Sequence, residues 1–83
     1  MSETNKPLPN KEWLDAFELM AEEAYRLMYD ATSPSDATAR YSDAKEALYS
    51  AIERARALGD APRVERLQAR LAEIKAVFRS QFS

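Results

Sequence analysis

The stretch SPSDATARYSDAKEALYSAIERARALGDAP, residues 33–62, decides the fold. It opens with a helix start: Ser33 is placed to cap, Pro34 falls at the first helical position where its missing N–H is not needed, and Asp36 stands three residues after the cap to complete a capping box. It closes on the only glycine of the chain, Gly59, suited to a left-handed C-cap. Asp60 follows as an N-cap, and Pro62 is tolerated in the first turn of the next helix. Between these signals Tyr41, Ala44, Leu48, Ala51, Ile52, Ala55 and Leu58 recur at helical spacing, with Ala47 at the margin. The spacing predicts a helix over 34–58, and its alanines allow a neighbouring axis to come close on one side.

Outward from this stretch the pattern repeats. Upstream, Trp13, Phe17, Met20, Ala21, Ala24, Leu27, Met28 and Ala31 form one stripe of a helix over about 11–31, with Asn10 as its cap and Asp15, Glu18 and Glu22 on the opposite side. Downstream, Val64, Leu67, Leu71, Ile74, Phe78 and Phe82 share a stripe over 61–82, flanked by Val77. Short connections between three amphipathic helices predict an all-α, antiparallel three-helix bundle running up-down-up. Residues 1–9, with Pro7 and Pro9, read as a flexible N-terminal arm, and residues 10–83 as a single domain.

Composition narrows the function classes. A chain of 83 residues is one domain's worth of core, and 46% hydrophobic with 31% charged residues is the balance of a globular helical protein. Without histidine or cysteine the chain lacks the usual general base near neutral pH, the usual zinc ligands and a thiol nucleophile, so no enzyme activity and no cofactor are expected. One glycine cannot build a phosphate-cradling loop. The serines read as caps or surface positions, and Asp15, Glu18 and Glu22 as a solvated face that converges too poorly for a metal site. The polar N-terminus and the lack of a long apolar run predict a soluble, cytoplasmic protein without a membrane anchor.

The net charge of −2 conceals a partition, −5 over residues 1–37 and +3 over residues 38–83. Its plain reading sets oppositely charged helices side by side, with Arg63, Arg66 and Arg70, along one flank of the third helix, meeting the acids of the first. Its alternative is a basic surface for an acidic partner, nucleic acid included. Leu19 projects from the polar side of the first helix, Tyr29 lies off its stripe, and Tyr49 stands at the edge of the second near Arg56. Leu19 with Tyr29 and Tyr49 with Arg56 are therefore candidate interaction patches, since tyrosine and arginine often anchor interfaces. Trp13 is assigned to the core because it lies on the apolar stripe.

Tyr41, Ala44, Leu48, Ala51 and Ile52, followed by Ala57-Leu58-Gly59-Asp60 and then Val64, Leu67, Leu71, Ala72 and Ile74, reproduce a known spacing. Over residues 41–74 the chain resembles the tetratricopeptide repeat, from the second helix of one repeat into the first of the next. The resemblance implies a tight helical hairpin of the kind used in protein recognition. The first helix departs from the family pattern, so the family's peptide groove is not carried over. The leading expectation is a small non-enzymatic protein–protein interaction module, an adaptor or regulatory subunit. The second is a homodimer that covers apolar surface left around Phe78 and Phe82, and the third is a nucleic-acid accessory protein using the arginines of the third helix.

Overall fold

The computed structural model describes residues 10–82, and the arm expected at residues 1–9 lies outside them. Three α-helices make up the fold, α1 (Asn10–Tyr29), α2 (Pro34–Leu58) and α3 (Ala61–Phe82). Both α1 and α3 pack on α2, which runs antiparallel to each.

The turns follow from local chemistry. Ser33, in extended backbone, accepts a hydrogen bond from the Asp36 amide at 3.1 Å, and Pro34 begins the helix. The reciprocal half of the capping box does not form among the described residues: the Asp36 carboxylate lies toward Arg40 at 3.7 Å instead. Gly59 adopts φ +72° and closes α2 in a Schellman arrangement, its amide donating to the Arg56 carbonyl and the Asp60 amide to the Ala55 carbonyl, both at 2.9 Å. Asp60 caps α3 by accepting from the Arg63 amide at 3.2 Å. The first helix is shorter than expected at its C-terminal end: after Tyr29 the Asp30 and Ala31 amides turn back to Leu27 and Met28, three residues upstream, in a tightened last turn.

The core is small and alanine-rich. Leu14, Met28, Leu48 and Ile74 are its largest fully buried side chains. Ala21 and Ala24 of α1 meet a face of α2 bearing Ala44, Ala47, Ala51 and Ala55, and small residues on both sides let these two helices approach more closely than α2 and α3 do. The closer hairpin is therefore α1–α2. From α3 the core receives Leu67, Leu71 and Ile74, with Val64 packed against it.

Two assignments change. In α1 the buried residues are Leu14, Ala21, Ala24 and Met28, so Leu14 joins the core from outside the expected stripe while Trp13 is 38% and Met20 56% exposed. The apolar arc of this helix is wider than one neighbour covers, and α2 covers the Leu14 side of it. In α2, Leu58 is exposed at the last residue of the helix, whereas Ala37, in its first turn, is buried.

Candidate interaction surfaces

The side-by-side arrangement of α1 and α3 is made by charge. Arg63 donates to Asp15 at 3.0 Å and to Glu18 at 2.9 Å, Arg66 grips both oxygens of Glu18 at 3.2 and 3.3 Å, and Arg70 grips both oxygens of Glu22 at 2.8 and 2.7 Å. Asp15–Arg63, Glu18–Arg66 and Glu22–Arg70 are all separated by 48 residues, so α1 and α3 run parallel and in register. The hydrogen bonds from Arg70 hold the Glu22 carboxyl below its ordinary pKa against a smaller opposing effect of burial. The bond to Asp15 does most to raise the pKa of Arg63, as Glu22 does for Arg70. The acids of this face, still partly solvated, thus turn toward α3, and Arg63, Arg66 and Arg70 direct donors to these carboxylates rather than presenting a bare basic stripe.

An aromatic chain closes the end of the bundle where the C-termini of α1 and α3 meet the start of α2. Tyr41 stacks on Phe78 with centroids 3.9 Å apart, Phe78 lies 5.7 Å from Phe82, Phe82 meets Tyr29 at 5.9 Å, and Tyr29 meets Tyr25 edge-on at 5.4 Å. A cation covers each end, Lys45 over Tyr41 at 4.4 Å and Arg70 over Tyr25 at 4.8 Å. Phe78 and Phe82 are only partly exposed, so the apolar end expected to need a second copy is largely covered from within. The hydrogen bond with Tyr29 also raises the pKa of the Tyr25 phenol.

Of the two pairs named from sequence, Leu19 and Tyr29 share a depression and Tyr49 and Arg56 lie apart. Leu19, 70% exposed, and Tyr29, half exposed with its ring against Phe82, line one shallow depression with Tyr25 and Arg70. Tyr49 is half exposed with Lys75 of α3 5.7 Å from its ring, while Arg56 lies at the α2–α3 turn beside Gly59 and Val64. Among the described residues no hydrogen bond, ion pair or ring contact joins Tyr49 to Arg56.

One opening lies along residues that apolar periodicity assigns to the core. On the face of the bundle away from the arginine ladder, a groove of about 400 Å³ runs between α1 and α2, lined by Phe17, Met20, Ala24 and Leu27 of α1 and by Ala47 of α2. Trp13 extends it, with its ring 6.4 Å from Phe17 and the Arg54 guanidinium 5.7 Å above it. The signal was present as two adjacent seams of seven-residue spacing, Leu14-Ala21-Met28 and Trp13-Met20-Leu27. They are too far around the helix to be covered by α2 together.

No helix among the described residues is long and apolar enough to cross a membrane, and no group of three potential metal-ligating side chains occurs among them. No family model, curated protein or solved structure matches the chain.

Proposed function

We propose that this chain is a small protein–protein interaction module, an adaptor or regulatory subunit without catalysis of its own, working in a reducing cellular interior. The observation that supports this most directly is the apolar groove on the α1–α2 face, where Met20 stands 56% exposed beside Phe17, Leu27 and Trp13 in a domain with few large core residues to spare. The missing histidine and cysteine support the non-catalytic part of the reading, and the missing cysteine its compartment. Engagement of Arg63, Arg66 and Arg70 by Asp15, Glu18 and Glu22 weighs against a nucleic-acid role, because a phosphate would have to displace three carboxylates. Self-association is the competing reading.

A photo-crosslinking residue placed in turn at Met20, Leu19 and Tyr49 in living cells tests the proposal. A discrete adduct with a second protein from at least one site is the expected result. Absence of protein adducts from all three sites would remove the reading, and an adduct of doubled chain mass alone would replace it with a homodimer.

A further inference from the structure

From the geometry and charge of the α1–α2 groove we infer its occupant: an amphipathic helix of another protein, apolar along one stripe and flanked by lysine or arginine. This rests on the interaction-module reading and goes beyond it in naming the site and the chemistry of the partner.

The groove has the form of a helix seat. Trp13, Met20 and Leu27 repeat every seven residues along one wall, and from Trp13 to Leu27 the wall runs ~21 Å, enough for about four turns of a docked helix. Its floor is small: Ala24 and Ala47 are both buried, so a large apolar side chain from the occupant can lie above them between Phe17 and Met20. Two helices with open apolar flanks and a small-residue cleft between them leave the place of a fourth helix vacant.

The rim selects the charge of that helix. Glu23 stands on the α1 side, with Asp43 and Glu46 on the α2 side. Arg40 lines the groove but is already drawn toward Asp36 at 3.7 Å and Asp43 at 3.9 Å, and Arg54 lies over Trp13 at the end of the wall. Glu23 is held by Arg26 at 2.9 Å, and Glu46 enters no ion pair among the described residues. A second copy is poorly matched, because Glu23, Asp43 and Glu46 outnumber Arg40 in the groove lining and self-pairing would bring acidic rim against acidic rim. An anionic lipid surface meets the same repulsion. A helix with basic flanks meets the rim with opposite charge while burying its apolar stripe on Met20 and its neighbours.

Two synthetic helical peptides of equal length, with one leucine stripe and either lysine or glutamate flanks, provide the probe, read by fluorescence anisotropy at low and high salt. The lysine peptide is expected to bind, more weakly as salt rises, and the glutamate peptide at least about tenfold more weakly. Met20→Asn, at an exposed position that leaves the helical circular-dichroism signal unchanged, is expected to weaken the lysine peptide about tenfold, whereas Leu19→Asn on the outer face leaves it unchanged. Equal affinity for both peptides, no binding of either, or binding indifferent to Met20→Asn would overturn the inference. So would a concentration-dependent doubling of molar mass in light scattering that Met20→Asn abolishes, since a second copy would then fill the groove. Cellular crosslinks from Leu19 or Tyr49 without peptide binding would leave the interaction module standing and remove only this site.

Discussion

Gly59 and Leu48 show how unequally single residues hold this protein. At Gly59 nothing lies within 4 Å of where a Cβ would stand, so only the φ of +72° opposes a side chain there. Gly59→Ala is expected to destabilise by about 1 kcal/mol in urea unfolding, and Gly59→Asn by less, because asparagine tolerates the left-handed region better. Leu48 is fully buried and, with Leu14, Met28 and Ile74, is one of the largest side chains in that state among the described residues. Truncating it leaves a cavity that alanine neighbours cannot collapse into, and Leu48→Ala is expected to cost about 3 kcal/mol, a large share of the stability of so small a domain. Leu58→Ala removes a side chain from the same helix but at a 42% exposed position, and should cost less than about 1 kcal/mol in the same assay. Sequence spacing alone placed Leu48 and Leu58 on one stripe; the end of α2 separates them.

At the scale of elements, the α1–α3 pairing depends on ion pairs that solvent reaches. A double-mutant cycle on Glu22 and Arg70, whose side chains remain roughly half and one-third exposed, is expected to give a coupling of about 0.5–1 kcal/mol, the upper part of the range for surface pairs because the contact is bidentate. The Glu22 carboxyl lies below its ordinary value in the folded chain because Arg70 bonds to it, so the unfolded chain binds more protons on acidification. Its contribution is complete above the ordinary glutamate pKa of about 4.3 and is lost as pH falls through the depressed folded value. Glu22→Gln should therefore flatten the loss of stability below about pH 4.3 in acid titrations followed by circular dichroism. A variant that loses stability on acidification as steeply as the wild type would contradict this. The charge partition between the two ends of the chain foretold that acids and arginines would meet. It did not give their register, because a constant offset of 48 residues depends on the lengths of α2 and both turns together.

Across the whole molecule stability is divided unevenly. The closest packing joins α1 to α2 through small residues, while α3 contributes three buried side chains and is tied to α1 by ion pairs. Backbone amides of α3 are expected to exchange with deuterium before those of α1 and α2, and 1 M salt should lower protection in α3 more than elsewhere by screening the ladder. Uniform exchange along the chain at both salt concentrations would show that the three helices open as one unit. The same imbalance explains why a groove remains on the α1–α2 face: α3 sits on the other side of the pair, drawn to the acids of α1.

Capping, the αL preference of Gly59 and apolar periodicity act within a few residues, so the three helices, both ends of α2 and most of the inward faces of α2 and α3 were legible in the chain alone. The opposite charges of α1 and α3 were legible there too. Which part of the broad apolar arc of α1 is buried depends on long-range packing. Pairing of Asp15, Glu18 and Glu22 with α3 turns that helix so that Leu14, Ala21 and Met28 face inward and Trp13, Met20 and Leu27 lie along the open groove. A helix wheel contains both possibilities, and the choice between them depends on neighbours whose distance along the chain is four dozen residues.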